Sequence, residues 1–394
     1  MKHLLSLLLT VSVCLSAHAQ VTENSIPFIH RGHIYVPATL NGTLSCHVLY
    51  DTGGSQLLCI DSVYLAHSDW HPQNLVKASM GGGAGRTQVR VITDGADIQI
   101  GSLNDHYNIV PIMKLRDIVN CHADGLWGIK NVNDYPFEIN FQHHYLRQHK
   151  QDKPDVADYI QLPIRYEDHR ILVQATLRIC DKTLMGWYLM DTGGSSSVTL
   201  TAKTAADYQL NQLPIPHQQV DYTQYGVGDK QQECVIEIKA DALTLGNDTM
   251  HDLIVEYIPD GEGAFSDRPY LGTIGNQVWS EFNLIIDTQQ NILYLHRFAP
   301  EDSASRQSLY DYGFRNRTDI EQGWKVSQLH RDGHAAQAGL HLGDIITAVN
   351  GRPVTDYTWE EEYDLFTLPH HELDFTDSSG QTHHIRLEAK EREK

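Results

Sequence analysis

Short runs of alternating apolar and polar residues cover most of this chain, and turn residues separate one run from the next. A period of two places every second side chain on the same face, which predicts β-strands with one buried face. Two of these runs each contain a turn signal, Asn-Gly at 41–42 within residues 34–49 and Asp-Lys at 181–182 within residues 172–189. Asn-Gly strongly favours a two-residue hairpin turn. The pattern therefore predicts a mainly β fold built from antiparallel hairpins.

Both runs lead directly into the same pentapeptide, Asp-Thr-Gly-Gly-Ser, at 51–55 and again at 191–195. The strand before each copy is apolar, and burying an unpaired carboxylate at its end is costly. Two carboxylates related by a two-fold axis can instead meet and share one proton. Asp51 and Asp191 are therefore candidates for a paired acid and base. The alternative is that each copy is only a polar turn after a strand.

The repeat extends beyond the pentapeptide, because five further features recur in the same order after each aspartate. They are a short helical segment, a glycine-rich point, an alternating strand, an apolar pair followed by glycine, and a strand led by phenylalanine. They lie at 61–67, 80–83, 88–92, 126–128 and 137–141 in the first half, and at 201–208, 225–228, 234–238, 273–275 and 282–286 in the second. This order and spacing predict a duplicated lobe, with the polar stretch 149–158 as the linker.

The pattern changes after about residue 300, where residues 299–303 (Ala-Pro-Glu-Asp-Ser) predict a second linker. A strand then begins at 323–326, a turn and short helix follow at 330–340, and Asn-Gly at 350–351 predicts another hairpin. The chain is thus divided into four predicted parts. They are a signal peptide at 1–19, a first lobe at 20–150, a second lobe at 155–300 and a C-terminal module at 305–394.

The first nineteen residues have the order of a secretory signal peptide. Lys2 and His3 give a basic start, residues 4–15 are largely apolar, and Ala-His-Ala at 17–19 is a cleavage pattern of small residues. The apolar run is too short to span a bilayer, and no later segment approaches that length. Val13, before Cys14, is too large for the usual lipoprotein signal. The sequence therefore predicts an exported protein, periplasmic or extracellular after removal of the signal peptide.

Composition narrows the class of protein further. The chain has 394 residues, of which 41% are hydrophobic and 20% charged, and this balance is typical of globular domains. Its formal net charge of −20 argues against a nucleic-acid partner. Five cysteines remain after the signal peptide, an odd number that leaves a Cys46–Cys59 bridge open but not required. No Cys-x-x-Cys or His-Glu-x-x-His spacing occurs, so neither a metal nor another cofactor is expected.

Residues 26–298 resemble the pepsin and retropepsin clan of aspartic peptidases, in the single-chain, two-lobed arrangement. The motifs that carry the resemblance are the two Asp-Thr-Gly loops and the two later segments in which an apolar pair precedes glycine. The resemblance implies that Asp51 and Asp191 are the catalytic dyad and that an activated water is the nucleophile. It implies a supporting role for the other residues of each loop, which are Thr52, Gly53, Thr192 and Gly193.

Gly54 and Gly194 depart from the clan, in which serine, threonine or alanine usually follows Asp-Thr-Gly. Where a hydroxyl is present at this position it supports the outer oxygen of the carboxylate. Without it the charged form loses a hydrogen bond, which is expected to raise the pKa values of the dyad. We therefore expect activity at a milder pH than that of an acid digestive enzyme.

The glycine-rich points predict flaps that fold over a bound peptide. Because both halves have such a point, the chain resembles a fused retropepsin dimer, with two flaps, more than pepsin, with one. A mobile surface hairpin is the alternative for each point. The predicted flap residues are Gly81, Gly82, Gly83, Tyr225, Gly226 and Gly228.

The C-terminal run 335–351 resembles a bacterial PDZ domain, because it reads A-x-x-A-G-L-x-x-G-D-x-I-x-x-V-N-G. PDZ domains capture extended peptides by strand addition, and backbone amides hold the C-terminal carboxylate. Tyr312, Gly313 and Phe314 stand where the carboxylate-binding loop is expected. A module that only packs on the peptidase lobes is the alternative.

Together these features predict an exported aspartic endopeptidase whose partner is a polypeptide or peptide substrate, recognised with the help of the PDZ domain. The rival prediction is a peptide-binding protein that keeps the fold without turnover and uses the PDZ domain as its working part. The two intact Asp-Thr-Gly loops favour the enzyme, because loss of activity usually removes an aspartate.

Overall fold

The computed structural model describes residues 24–298 and 309–390; the predicted signal peptide at 1–19 and the predicted linker at 299–303 lie outside these ranges. In the described residues the chain is mainly β, as the alternation predicts, and its strands form two mixed sheets. One apolar core runs through both lobes and a second fills the C-terminal module.

The first lobe, residues 24–148, folds around the strand that leads to Asp51. Its strands are β1 (Ile26–Pro27), β2 (Ile29–His30), β3 (Ile34–Leu40), β4 (Leu44–Asp51), β5 (Leu58–Asp61), β6 (Leu75–Gly82), β7 (Gly85–Ile92), β8 (Ala96–Ile100), β9 (Leu103–Tyr107), β10 (Val110–Met113), β11 (Gly125–Gly128), β12 (Phe137–Asn140) and β13 (Tyr145–Gln148). The predicted hairpin is β3–β4, and Asn41 and Gly42 both have positive φ. Leu40 pairs with Leu44, so the turn has three residues and not the two that Asn-Gly favours. Helix α1 (Ser62–His67) begins at Asp61 because this carboxylate accepts hydrogen bonds from two amides of the first turn.

The second lobe, residues 160–298, repeats this order. Its strands are β14 (Ile160–Glu167), β15 (Arg170–Ile179), β16 (Lys182–Met190), β17 (Val198–Leu200), β18 (Gln218–Tyr222), β19 (Glu233–Leu245), β20 (Asp248–Tyr257), β21 (Gly272–Ile274), β22 (Phe282–Asp287) and β23 (Ile292–Arg297), with helices α2 (Ala202–Asp207) and α3 (Asn276–Trp279). The turn predicted at Asp181-Lys182 is wrong by one residue. Ile179 pairs with Lys182, so Cys180 and Asp181 form the turn, and Cys180 takes a positive φ of 52°.

The two lobes share a sheet whose strand order is symmetric about its centre. β12 pairs with β22 across the lobe boundary, with Phe137 opposite Ile286 and Asn140 opposite Asn283. Outward from this pair the order is β13 and β1 on one side and β23 and β14 on the other. The duplication in the sequence is therefore a two-fold arrangement in space, as the paired aspartates require.

The C-terminal module, residues 309–390, is a small β unit with two short helices. Its elements are β24 (Tyr312–Asn316), β25 (Trp324–His330), α4 (His334–Gln337), β26 (Ile345–Val349), β27 (Arg352–Pro353), α5 (Trp359–Asp364), β28 (His370–Thr376) and β29 (Thr382–Glu388). The predicted Asn350-Gly351 turn joins β26 to β27, and both of its residues have positive φ. Helix α5 begins with a capping box between Thr358 and Glu361.

Two further expectations bear on the described residues. Cys46, Cys59, Cys121, Cys180 and Cys234 are all free thiols, so the bridge left open between the first two is not formed. No helix within residues 24–298 and 309–390 has both the length and the apolar character needed to cross a bilayer.

Candidate active site

Asp51 and Asp191 lie at matching positions of the two lobes. Asp51 is the last residue of β4, and Asp191 follows the last residue of β16. In each loop one carboxylate oxygen accepts two backbone amides, from Gly53 and Gly54 at 2.7 and 2.9 Å for Asp51. The matching bonds to Asp191, from the amides of residues 193 and 194, are 3.0 and 3.1 Å. The repeated pentapeptide therefore folds into two equivalent carboxylate cradles.

The two threonines of the motif join the loops to each other. The Thr52 amide donates to Thr192 Oγ1 and the Thr192 amide donates to Thr52 Oγ1, each at 3.0 Å. Each hydroxyl then donates to the other lobe, Thr52 to the carbonyl of Met190 at 2.8 Å and Thr192 to that of Tyr50 at 2.9 Å. Both threonines are buried. Four reciprocal hydrogen bonds therefore fix the distance between the two aspartates.

The glycine after each threonine is required by the closeness of the opposite carboxylate. A Cβ added to Gly53 would lie 2.7 Å from Asp191 Oδ1, and one added to Gly193 would lie 2.4 Å from Asp51 Cγ. Such distances are too short for any side chain. Each carboxylate is thus packed directly against the backbone of the other loop.

Burial raises the pKa values of both groups. Burial is the largest cause for Asp51, and the charge of Asp191 adds to it, so that its pKa rises to about 8. Burial also raises the pKa of Asp191, against the amide hydrogen bonds from Gly193 and Gly194, which lower it. The missing hydroxyl at Gly54 and Gly194 predicts raised pKa values, but burial is their main cause in the structure.

The apolar-apolar-glycine segments brace each loop from beside it. β11 runs parallel to β4 with Gly128 opposite Asp51, and β21 runs parallel to β16. The Asp191 amide donates to the carbonyl of Ile274 at 3.0 Å. Trp127, on β11, and Ile274, on β21, are fully buried. The recurrence of these two segments at matching positions is the sequence signal that marks them.

The two glycine-rich points meet above the dyad. β6 and β7 form the first flap, whose tip is Gly83-Ala84, and the second flap is the loop between β18 and β19. The Ala84 amide donates to the carbonyl of Val227 at 2.8 Å, and Thr87 Oγ1 donates to Asp229 Oδ1 at 2.5 Å. The close packing excludes a Cβ at Gly228, which would lie 1.9 Å from the Ala84 carbonyl oxygen.

A cavity of about 1120 Å³ lies between the flaps and the dyad. Both aspartates line it, and so do all of the predicted flap residues except Gly228, which is buried between the flap tips. Thr52 and Thr192 lie beneath the cavity and do not line it. The structure thus brings the predicted aspartates and most of the predicted flap residues together around one cavity.

The C-terminal module completes one wall of the same cavity. β25 pairs antiparallel with β18, the strand that leads into the second flap, with Val220 opposite His330 and Tyr222 opposite Gln328. Arg331, directly after β25, donates two hydrogen bonds of 3.1 and 2.7 Å to the carboxylate of Asp221 on β18. Module residues Arg315, Gln328, His330 and Lys390 line the cavity.

The order of strands, the short helix and the Asn-Gly turn of this module identify its family. Residues 325–361 match the family model of the PDZ domain. The chain therefore carries a PDZ domain near its C-terminus.

Comparison of the whole chain with solved structures gives a match to the crystal structure of an aspartic proteinase from Irpex lacteus. The identity is 13%, the match covers 72% of this chain and 99% of that one, and the TM-score is 0.45. Comparison with curated proteins gives no match.

The predicted PDZ residues Tyr312, Gly313 and Phe314 lie together on β24. The Tyr312 hydroxyl bonds to His371 Nδ1 at 2.6 Å, and the ring of Phe314 stacks on Trp324 with 4.4 Å between centroids. Further along the same strand, the carbonyl of Asn316 accepts the amide of Cys121 from the first lobe at 2.8 Å. The PDZ domain therefore contacts the first lobe through this strand.

Arg315 joins the PDZ domain to the first lobe and to the second flap. Its guanidinium donates to the carbonyl of Asp117 at 2.6 Å, to Thr223 Oγ1 at 3.2 Å and to the carbonyl of Gln224 at 2.7 Å. No carboxylate of the described residues lies within salt-bridge distance of it. Burial lowers its pKa to about 10, so the group stays charged at neutral pH. Sequence analysis missed this residue, because nothing in the pattern indicates a contact across three elements.

We expect Arg315→Ala to loosen the second flap. The carbonyls of Asp117 and Gln224 would lose their donor, which lowers the free energy of unfolding by about 2–3 kcal/mol. A loosened flap should also raise KM for a peptide substrate by a larger factor than it lowers kcat. Arg386→Ala, on exposed β29, is the matched control and should change unfolding by less than about 0.5 kcal/mol. Urea unfolding and steady-state kinetics measure both effects, and equal values for the two variants would contradict this role.

Sequence analysis also missed a polar group on the second-lobe wall. Glu256, on β20, is 8% exposed and lines the cavity. It accepts hydrogen bonds from the hydroxyls of Tyr225, on the second flap, and of Thr199, on β17. The alternating pattern of β20 gave no sign of it, because a glutamate in a strand normally faces solvent.

Proposed function

We propose that this protein is an aspartic endopeptidase that hydrolyses peptide bonds with Asp51 and Asp191. The observation that carries the proposal is the packing of two carboxylates against each other's loops beneath two flaps, with the pKa of both raised. Two carboxyl groups this close cannot both ionise readily, so one is an acid while the other is a base at the same pH.

The reaction follows from this shared proton. The ionised carboxylate takes a proton from a water molecule, whose oxygen adds to the scissile carbonyl carbon, while the protonated carboxyl donates its proton to the carbonyl oxygen. The tetrahedral intermediate then collapses, the C–N bond breaks, and the nitrogen leaves with a proton from the dyad. A carboxylic acid and an amine are formed, and no covalent bond to the enzyme is made.

The PDZ domain takes part in substrate recognition in this proposal. Its residues line the cavity and its strand β25 is bonded to the strand that carries the second flap. A polypeptide held extended under the flaps would therefore lie beside the PDZ domain. Export to the periplasm or beyond the cell belongs to the same proposal and rests on the predicted signal peptide.

The test is cleavage of an unstructured protein across a pH series, with Asp51→Asn and Asp191→Asn as variants. The wild type should cleave near neutral pH, because the raised pKa values move the pH range in which the two aspartates share one proton to higher pH. Activity should fall as pH rises through about 8, where Asp51 loses its proton. Each variant should lose activity by a factor of about 10³ or more. Cleavage that survives either substitution would contradict the dyad, and no cleavage by the wild type at any pH would favour the peptide-binding rival.

Thermal unfolding at pH 8 shows whether the variants are folded. Because the folded-state pKa of Asp51 is raised, the folded protein loses stability as pH rises from the ordinary carboxyl pKa toward 8. Asparagine removes that cost and keeps an acceptor for the amides of Gly53 and Gly54. Asp51→Asn should therefore unfold at a temperature no lower than that of the wild type.

A further inference from the structure

The two walls of the cavity differ at positions that the duplication makes equivalent. In the first lobe Cys59 and Leu126 line the cavity, and the matching residues of the second lobe are Thr199 and Thr273. Leu49 and its match, Leu189, are the same in both. The first wall is thus apolar, with Met80, Met113 and Leu115 adding to it, whereas the second carries hydroxyl groups.

The hydroxyl groups of the second wall surround a buried carboxylate. Thr199 lies opposite Glu256 in the parallel pair of β17 and β20, so both side chains face the cavity. The hydrogen bonds from Tyr225 and Thr199 both go to Oε2 of Glu256, and Oε1 accepts none from the described residues. Glu256 is thus more than nine-tenths buried, with one oxygen unpartnered at the wall of the cavity.

No cationic side chain of the described residues lies within salt-bridge distance of Glu256. Its cross-strand neighbour is another acid, since Glu237 lies directly opposite it on β19. Like charges in such a pair destabilise a sheet. Glu237 has the positive charge of Lys390 acting on it, and His330 Nε2 lies 3.7 Å away, although burial lowers the pKa of His330 to about 4. Within this pair, Glu256 is therefore the acid that lines the cavity with no cationic partner among the described residues.

We propose that Glu256 is a specificity-determining residue that selects substrates with a lysine or arginine side chain over the second lobe. A substrate cation would donate to Oε1 and supply the missing counter-charge, while the hydroxyls of Tyr225 and Thr199 hold the carboxylate in place. The apolar first wall would take a hydrophobic residue on the other side of the scissile bond. This inference rests on the proposed peptidase function.

The test uses internally quenched peptides with an apolar sequence, in which lysine or norleucine is placed at each of three positions on either side of the centre. Norleucine has the length of lysine without its ammonium group, so the pair isolates the charge. At one position the wild type should cleave the lysine peptide at least about tenfold faster in kcat/KM than the norleucine peptide. Equal rates at every position would overturn the inference.

Glu256→Gln identifies the residue responsible. Glutamine keeps an oxygen acceptor for Tyr225 and Thr199 but has no charge, so the lysine preference should fall to within about threefold while the norleucine peptide is still cleaved. Glu281→Gln, directly before β22 and bonded to Arg297, is the control and should keep the full preference. A lysine preference that survives Glu256→Gln would also overturn the inference. Failure to cleave any peptide, by contrast, would count against the peptidase function itself.

Discussion

Gly193→Ala is expected to lower kcat/KM by about 100-fold or more, while Gly194→Ala stays close to the wild type. A Cβ at residue 193 would lie 2.4 Å from Asp51 Cγ, so the opposite carboxylate has to move. Displacements of about 1 Å at a reacting group cost roughly this factor in rate. A Cβ at residue 194 would lie 3.5 Å from Asp191 Oδ2, which is ordinary contact.

Neither Gly193 nor Gly194 has a left-handed φ, so alanine at either position causes no backbone strain and changes only the space that the residue fills. Hydrolysis of a quenched peptide measures the rates, and thermal unfolding shows that both variants fold. Similar activity in Gly193→Ala and Gly194→Ala would mean that the two carboxylates are not held against each other's loops.

Thr52→Val is expected to lower the free energy of unfolding by about 2–5 kcal/mol and to reduce activity with it. Valine has the shape of threonine without the hydroxyl, so the Met190 carbonyl loses its donor and the Thr192 amide loses its acceptor. Both groups lie at the boundary between the lobes, where water cannot easily replace the lost bonds. Thr183→Val, on the exposed face of β16, is the matched control and should cost less than about 0.5 kcal/mol.

The double variant of Thr52→Val and Thr192→Val tests whether the four hydrogen bonds act as one network. Thr52→Val removes two of these bonds and Thr192→Val removes the other two. Because either change loosens the lobe boundary on which the remaining two bonds depend, the combined cost should be smaller than the sum by about 1–2 kcal/mol. Urea unfolding of the four proteins gives this difference. Additive costs would show that the loops are held together by other contacts.

The residues at the centre of the site could be predicted from the sequence because their signals are local and repeated. Asp51 and Asp191 each follow an apolar strand, and the glycine-rich points stand at matching distances after them. Asn-Gly turns were placed correctly because positive φ at both residues requires that chemistry. The turn near Cys180 was missed by one residue, because cysteine carries no such signal.

Contacts between distant segments could not be predicted in the same way. The pairing of β18 with β25 depends on which strand edges are left open after both units fold, and no residue of either strand encodes that choice. Arg315 and Glu256 are charged residues in alternating strands, a pattern that normally indicates a solvent-facing side chain. Only the assembled lobes bury them at the cavity.

The pairing of β18 with β25 makes the two flaps mechanically unequal. The second flap is attached to the PDZ domain by a strand ladder, by Arg331 and by Arg315, so moving it breaks all of these bonds. The first flap is a hairpin whose own strands stay paired when it lifts, so what has to open is its contacts with the second lobe, such as that from Ala84 to Val227. Opening the first flap therefore breaks fewer bonds than opening the second, so that under the proposed function we expect a polypeptide substrate to enter the cleft from the side of the first lobe.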